Sequence, residues 1–406
     1  MGIKGYNNFL KEKINSNCID KDEVEFNYVY IDCNFFFHFS IYGCDDYKSF
    51  IDKLISNIYN VVANLKITDG LFLITDGPGT YAKLTTQIEH RKEIKNISDI
   101  SCQLILPGTK LMKKIDEDVK NGVNSDFGDE KFKIICSSSE ECGEGDLKIF
   151  NEIIENNKVK KGTHLIVSTD TDMINGTIAT NVSDVYILKD FKNSEIVSID
   201  DIKKKFISNL INHNNCLESS ISNEELLYAD FSLISTMMGN DYIKKLNYVK
   251  IETLYDSYVE YYHLENMTVL KFDGNELIFD MNNLNSLMQV ILKNVYSKTN
   301  KTAISYDNKK VKCYLDGLLW CVNMYKYGVC PDIKYVYNYK NGVTVFDVLY
   351  YFEHCEYENK VIRSNIDYLN SLEFAYIVLD EKYYDELPKI DNFENIKKIK
   401  QIVSKL

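Results

Sequence analysis

The 406-residue sequence has no apolar run approaching the ~20 residues needed to cross a bilayer, so it predicts no membrane-spanning helix. The N-terminus also lacks the basic and then apolar segments of a secretory signal, so export is not expected. Basic residues are outnumbered by acidic ones, and the net charge is −13. This balance argues against a protein that coats nucleic acid with a broad basic surface, but not against one with a single basic pocket.

The eleven cysteines are scattered, and none belongs to a C-x-x-C pair. This pattern argues against a structural zinc site and against a disulfide framework. It predicts reduced, mostly buried thiols in an intracellular protein, with the cytoplasm as the expected location because no nuclear localisation cluster is present. The remaining composition, 45% hydrophobic and 26% charged, is that of a globular chain.

Three short apolar runs each lead into an aspartate. They are 28–31 before Asp32, 71–74 before Asp76, and 165–167 before Asp170. Such runs are typical of buried parallel strands, and helical patterns such as Phe50 to Leu65 lie between them. The alternation predicts an α/β fold with a mostly parallel sheet, whose ligand site lies beyond the carboxyl ends of the strands. Aspartate is also a common helix cap, so one such run alone would be uninformative.

Two further regions complete the organisation of the chain. Residues 112–133 are polar and contain Gly122 and Gly128, so we expect a mobile surface loop or insertion. Residues after about 250 mix helical and strand patterns without a clear linker, and we expect them to pack against the first part of the chain.

Other carboxylates occur in three compact segments. Gly143 to Lys148 holds Glu144 and Asp146 before an amphipathic helix, although an acidic helix start would look the same. Asp170 and Asp172 would point to the same side of an extended stretch. Asp241 follows Gly239-Asn240 after an apolar helix at 226–238. Seven carboxylates result: Asp32, Asp76, Glu144, Asp146, Asp170, Asp172 and Asp241. Hard oxygen ligands in this number suit two Mg²⁺ ions, or Mn²⁺ in their place.

Basic residues follow Asp76 in the sequence. At helical spacing, one face would present Lys83, Gln87, His90 and Arg91. Such a face can bind a terminal phosphate, or it can be an ordinary solvated basic face.

The order of these motifs resembles the Xrn 5′→3′ exoribonucleases, which are related to PIN domains and flap endonucleases. The aspartate-to-histidine spacing from Asp32 to His38, the segment from Asp76 to Arg91, and Pro107-Gly108-Thr109 are similar to family motifs. So are the segment from Gly143 to Lys148, the pair Asp170 and Asp172, and Gly239-Asn240-Asp241. Later matches include Leu315 to Trp320, Gly328 to Pro331, and Leu372 to Pro388.

The resemblance implies a PIN-like nuclease domain over 1–250 and the second conserved Xrn region, helical and mixed, over 251–406, which would complete the active-site pocket. It implies that the seven carboxylates bind two Mg²⁺ ions and that Lys83, Gln87, His90 and Arg91 bind a 5′-monophosphate. His38 and Tyr335 would stack on the first base, and Lys148 would also contact substrate. The expected substrate is single-stranded RNA with a 5′-monophosphate, possibly also DNA, and the product is mononucleotides.

This chain departs from the family pattern at several positions. Asp146 replaces a glutamate, His90 an arginine, and Tyr335 a tryptophan, and the long C-terminal domains of large members are not expected. Two other readings stay open. A flap or 5′ DNA nuclease normally has a glycine-rich hairpin after the last aspartate, where this chain has Tyr242 to Leu246. An inactive RNA-binding scaffold would normally have lost some of the carboxylates.

Overall fold

The computed structural model describes residues 3, 5–14, 18–93, 100–189, 195–212, 223–296, 306–390 and 393–403. The chain divides into two compact units. The sheet unit comprises Cys18–Thr169, Asp184–Val197 and Ile366–Leu406, and the helical unit comprises Met1–Asn17, Asp170–Ser183 and Ser198–Asn365. This division does not follow the boundary expected at residue 250, which stays a prediction.

Seven strands form the central sheet of the sheet unit. They are β1 Cys18–Asp20, β2 Glu25–Asp32, β3 Lys66–Ile74, β4 Lys133–Ser137, β5 His164–Val167, β6 Val185–Leu188 and β7 Glu195–Ser198. Their order is β1-β7-β6-β5-β2-β3-β4. Strand β2 pairs in parallel with β3 and β5, β3 pairs in parallel with β4, and β5 with β6, whereas β1 and β7 are antiparallel. The predicted α/β fold with a mostly parallel sheet is confirmed, as are its three predicted strands.

The register of the central strands aligns their carboxyl ends. Asp32 at the end of β2 pairs with Ile74, the last residue of β3, and Ile31 pairs with Val167, the last residue of β5. The side chains of Val29, Tyr30 and Ile31 are completely buried, as expected for a strand covered on both faces. The residues that follow these strands therefore lie along one edge of the sheet.

Helices flank this sheet. Those of the sheet unit are α2 Cys33–Ile41, α3 Tyr47–Val62, α4 Tyr81–Glu93, α5 Lys110–Phe127, α6 Gly145–Val159, α14 Ser371–Val378 and α15 Phe393–Val403, with 3₁₀ turns at Lys21–Glu23, Cys102–Leu104 and Glu381–Glu386. Helix α3 confirms the helix predicted between Phe50 and Leu65. It begins with a capping box in which the Asp46 side chain accepts a hydrogen bond from the Ser49 N–H, and it buries Phe50, Leu54 and Ile58.

The prediction of a mobile surface loop or insertion at residues 112–133 is wrong. Helix α5 occupies most of this segment, with the Thr109 side chain accepting a hydrogen bond from the Met112 N–H at its start. Its buried side chains recur every three or four residues: Met112, Ile115, Val119, Val123 and Phe127. This spacing is an amphipathic helix signal, which the polar residues and glycines between these positions obscure.

The helical unit contains most of the remaining elements. They are α1 Tyr6–Phe9, a π-helix Leu10–Ile14, α7 Asp172–Thr180, α8 Ile199–Asn212, α9 Glu224–Thr236, α10 Ile251–Glu265, the hairpin β8 Leu270–Asp273 and β9 Glu276–Phe279, α11 Met281–Tyr296, α12 Asn308–Tyr327 and α13 Val345–His354. Helix α9 confirms the apolar helix predicted at 226–238. In the described part of the chain, no helix is long and apolar enough to cross a membrane, and the cysteines there are all free thiols.

The extended stretch expected from Asp170 to Asp172 does not form. The Asp170 Oδ1 accepts a hydrogen bond from the Asp172 N–H at 2.9 Å, and Thr171 has helical dihedral angles. Asp172 is the first residue of α7. A short polar side chain before a helix favours such a local turn over an extended strand, because it satisfies an N–H at the start of the helix.

Candidate active site

Asp32 is the last residue of β2, and its carboxylate is oriented from the neighbouring strand. The Ser168 hydroxyl, one residue beyond β5, donates to Asp32 Oδ2 at 2.9 Å. Ser168 is completely buried. Ser168 precedes the predicted ligands Asp170 and Asp172 in the sequence, but its own role was not predicted.

Asp76 lies two residues beyond β3 and receives hydrogen bonds on both carboxylate oxygens. The Asn34 amide donates to Oδ2 at 2.5 Å, and the Gly145 N–H donates to Oδ1 at 2.6 Å. The Asp76 N–H in turn donates to Asn34 Oδ1 at 3.0 Å. Asn34 therefore holds both the backbone and the carboxylate of Asp76. Sequence reasoning missed this role, although Asn34 stands inside the motif from Asp32 to His38.

The loop before α6 is held tightly against the loop after β3. The Gly77 N–H donates to the Gly143 carbonyl at 2.8 Å, and the Gly143 N–H donates to the Pro78 carbonyl at 3.0 Å. A Cβ on Gly77 would lie 1.6 Å from the Glu141 carbonyl oxygen, and Gly143 has φ 105°. Only glycine suits both positions, so the glycines of these motifs bring Glu144 and Asp146 close to Asp76.

Glu144 and Lys83 form a buried ion pair. Glu144 precedes the first turn of α6, and its Oε2 lies 3.0 Å from the Lys83 Nζ, with side-chain exposures of 5% for Glu144 and 16% for Lys83. Asp146, in the first turn, accepts a hydrogen bond from the Leu147 N–H at 2.7 Å. The pair joins a predicted metal ligand to a predicted phosphate ligand, so each neutralises the other here.

Two of the predicted basic groups are bonded to backbone carbonyls. The Arg91 guanidinium donates to the carbonyls of Cys102 at 3.0 Å, Gln103 at 3.3 Å and Ile105 at 2.8 Å. The Lys148 ammonium donates to the carbonyls of Thr75 at 2.8 Å and Ser138 at 3.0 Å. Burial lowers the pKa of Arg91 to about 10 and also lowers the pKa of Lys148. Both side chains hold loop segments through hydrogen bonds to backbone carbonyls, and their contact with substrate stays a prediction.

The other members of the basic face lie on the same helix. Helix α4 spans Lys83, Gln87, His90 and Arg91, as the spacing predicted, and these four side chains are half-buried.

His38 lies on the exposed side of α2. Its pKa is lowered, first because the surrounding protein desolvates the ring in part and then by the positive charge of Arg91, while Asp76 acts in the opposite direction. His38 is therefore within electrostatic reach of both Arg91 and Asp76. It is more weakly basic than an ordinary histidine, which favours the neutral ring near neutral pH.

The remaining three carboxylates belong to the helical unit. Asp172 is 7% exposed, and its Oδ1 accepts a hydrogen bond from the Ile3 N–H at 3.0 Å. Asp241 is half-buried in a turn shaped by Asn240, whose Oδ1 accepts from the Tyr242 and Ile243 N–H groups at 2.9 and 3.0 Å.

Tyr335 lies in the core of the helical unit. Its side chain is 5% exposed, its ring centroid is 5.0 Å from that of Trp320, and its hydroxyl donates to the Cys313 carbonyl at 3.0 Å. A Cβ on Gly317 would lie 2.0 Å from the Tyr335 hydroxyl, so the glycine of the motif beginning at Leu315 makes room for this ring. Base stacking by Tyr335 stays a prediction, and the function proposed below does not depend on it.

The chemistry of this donor set suits a hard divalent cation, since every predicted ligand is a carboxylate. The four carboxylates of the sheet unit nevertheless make other contacts, with Ser168, Asn34 and Lys83 among their partners. Within the described ranges no three His, Cys, Asp or Glu side chains are gathered closely enough to hold a metal ion. The residue types thus fit the predicted cation, but no group of the described side chains is arranged to bind it.

Comparison with known proteins shows a similarity of the N-terminal half of the chain to one family. The family described as "XRN 5'-3' exonuclease N-terminus" matches residues 1–99 and 86–191, slightly under half of the sequence. A candidate 5′-3′ exonuclease of Acanthamoeba polyphaga mimivirus is 26% identical over 215 residues, which cover 50% of this chain and 34% of that protein. The predicted resemblance to the Xrn family is therefore confirmed over residues 1–191.

Solved structures give weaker likenesses. The catalytic core of Rad2 in complex with DNA substrate has a TM-score of 0.42 and 13% identity, covering 86% of this chain and 93% of that one. The flap endonuclease of bacteriophage T5 in complex with DNA and metal ions has a TM-score of 0.34 and 12% identity, covering 66% of this chain and 87% of that one. Both scores are low, so the family resemblance rests on the sequence matches.

Proposed function

We propose that this Xrn-like chain is a divalent-cation-dependent 5′→3′ exoribonuclease that removes mononucleotides from single-stranded RNA bearing a 5′-monophosphate. The observation that supports this most directly is the setting of Asp76. Its two carboxylate oxygens are fixed by Asn34 and by the Gly145 N–H, at the sheet edge where ligands of α/β folds bind. Hydrogen bonds to both oxygens hold the carboxylate in one orientation. A site that must position a phosphodiester for cleavage requires such fixed groups.

Cations would be held by the carboxylates that the resemblance assigns to this role. In the sheet unit these are Asp32, Asp76, Glu144 and Asp146, and we propose the same role for Asp170, Asp172 and Asp241 on the ground of the resemblance. Bound Mg²⁺ would activate water and stabilise the leaving oxygen of the phosphodiester. Because Ser168 and Asn34 hydrogen-bond Asp32 and Asp76, they are positioning residues that orient the ligands.

The ion pair between Lys83 and Glu144 supports a coupling between cation and phosphate. While the two groups are in contact, the Lys83 ammonium neutralises the negative charge of the Glu144 carboxylate, whose side chain is only 5% exposed. A cation bound by Glu144 would take over that neutralisation, and the Lys83 ammonium could then turn to the 5′-phosphate. Gln87 and His90, on the same helix, would add hydrogen bonds to the phosphate, and the neutral ring of His38 would stack on the first base.

A cleavage assay with end-labelled RNA tests this proposal. Wild-type protein with Mg²⁺ is expected to release label from the 5′ end of 5′-monophosphorylated RNA as mononucleotide, and to release none when EDTA replaces Mg²⁺. The variant Asp76→Asn should be inactive. Asp69→Asn is the matched control, because Asp69 lies within β3, the strand that precedes Asp76, and pairs with Lys160 at 2.9 Å, away from the carboxyl end of that strand.

Two results would contradict the proposal. Cleavage of branched DNA without attack on single-stranded RNA would indicate a flap nuclease. Absence of any cleavage by a protein that still binds RNA would indicate a binding scaffold.

A further inference from the structure

Helix α2 exposes large aromatic side chains beside the candidate active site. Phe39 is 47% exposed and Tyr42, immediately after the helix, is 66% exposed. The Phe35 and Phe39 rings stack, with centroids 5.8 Å apart and an angle of 17° between their planes. We call these three residues, Phe35, Phe39 and Tyr42, the aromatic face.

Within the aromatic face, Phe35 also packs against the core of the sheet unit, whereas Phe39 and Tyr42 are exposed. The opposite side of the helix buries Phe36, Phe37 and Ile41 almost completely. An amphipathic helix ordinarily presents polar groups to water on its other side. Exposed aromatic rings grouped on one helix face instead indicate a binding surface.

This surface begins at the candidate active site. The residue before α2 is Asp32, Asn34 in its first turn holds Asp76, and His38 precedes Phe39 directly. At the rise of an α-helix, Tyr42 lies about 6 Å further along the axis than His38. That distance is close to two base steps of a stacked strand, at about 3.4 Å each.

Positive charge accompanies the outer end of the aromatic face. The Lys53 ammonium donates to the Tyr42 carbonyl at 2.5 Å, which holds a cation at the backbone of this residue. The nearby Asp46 carboxylate is engaged in capping α3, where it accepts the Ser49 N–H at 2.8 Å. Aromatic rings beside a fixed ammonium are the combination that binds single-stranded nucleic acid, with rings for the bases and cations for the phosphates.

We propose that Phe39 and Tyr42 stack on the bases that follow the first nucleotide of a single-stranded substrate, with Phe35 supporting the Phe39 ring and Lys53 contacting the strand's phosphates. This inference rests on the proposed function and adds the path of the strand to it. Every base has a π-face, so the surface binds strands without preference for sequence. Affinity therefore rises with the length of the strand until both rings are covered.

Oligonucleotide binding tests the aromatic face. Fluorescence anisotropy would give the Kd of 5′-phosphorylated dinucleotide, tetranucleotide and octanucleotide RNA, in EDTA so that cleavage does not proceed. The double variant Phe39→Ala/Tyr42→Ala is expected to bind the octanucleotide about 10- to 100-fold more weakly, and to bind the dinucleotide nearly as wild type does. Phe39→Tyr/Tyr42→Phe should restore the length dependence, because both rings are retained.

A matched control is Phe272→Ala, an exposed phenylalanine of strand β8 with 36% exposure, which should leave all three Kd values unchanged. If the double variant keeps the wild-type length dependence, the inference is overturned and the face serves another partner, such as a protein. Equal losses for the dinucleotide and octanucleotide would also overturn it. Failure of the proposed function looks different, because wild-type protein with Mg²⁺ would then release no mononucleotide from 5′-monophosphorylated RNA, whatever the Kd values in EDTA.

Discussion

Removing the Lys83 ammonium should destabilise the protein through the buried carboxylate that it neutralises. The two groups are 3.0 Å apart, and the Glu144 side chain is 5% exposed. Breaking such a pair by removing one partner costs about 3 to 5 kcal/mol, because the other charge stays buried. We therefore expect Lys83→Met to lower the free energy of unfolding by an amount in this range. The measurement is urea denaturation in EDTA, followed by circular dichroism.

Two controls separate this effect from general damage. Lys158→Met removes a pair with Glu155 that is shorter, at 2.8 Å, but exposed on both sides, so it should cost less than about 1 kcal/mol. The double variant Lys83→Met/Glu144→Gln should regain much of the lost stability, since no buried charge is left.

Adding Mg²⁺ should also rescue Lys83→Met, because a cation bound to Glu144 would replace the ammonium. At about ten times its Kd, the ion adds about 1.4 kcal/mol of stability. A Lys83→Met protein as stable as wild type in EDTA, with no coupling in the double variant, would refute the reasoning.

Three other substitutions test individual contacts. Asn34→Ala should raise the Mg²⁺ concentration for half-maximal cleavage about 10- to 100-fold, since Asp76 loses its orienting amide; an unchanged titration would exclude this role. Arg91→Met should lower the free energy of unfolding by about 2 to 4 kcal/mol, through three lost hydrogen bonds, whereas a loss of RNA affinity without destabilisation would favour direct phosphate binding. Burial lowers the pKa of Lys203, whose ammonium donates to the Val182 carbonyl, to about 8 from 10.5. Between these two pKa values, the unfolded chain binds more protons at Lys203 than the folded chain does. The free energy of unfolding of wild type should therefore rise by about 1 kcal/mol per pH unit relative to that of Lys203→Met. Parallel pH profiles of the two proteins from pH 8 to 9 would contradict this.

The central sheet could be predicted from the sequence because its signal is local. Each buried strand is a continuous apolar run, and Asp32 and Asp76 stand one and two residues after two of these runs. Parallel strands then align their carboxyl ends without further information. Helix α5 was missed for an opposite reason, since its apolar stripe from Met112 to Phe127 is diluted by polar residues and glycine.

The partners of individual side chains could not be predicted in the same way. Arg91 fits a phosphate-binding face by its spacing, yet its acceptors are carbonyls of a turn 11 to 14 residues further along the chain. The burial of Tyr335 depends on Gly317, which is distant in sequence and leaves space for its hydroxyl. Helical periodicity identifies which residues share a face, but the groups that meet that face depend on the tertiary fold.

The most direct test of the proposed function compares three RNAs that differ only at the 5′ end. With Mg²⁺, we expect mononucleotide release from RNA with a 5′-monophosphate, and little release from the same RNA with a 5′-triphosphate or a 5′-hydroxyl, as measured by chromatography of the products. Lys83→Met should reduce the preference for the monophosphate. Equal release from all three ends, or internal cuts that ignore the 5′ end, would contradict the account.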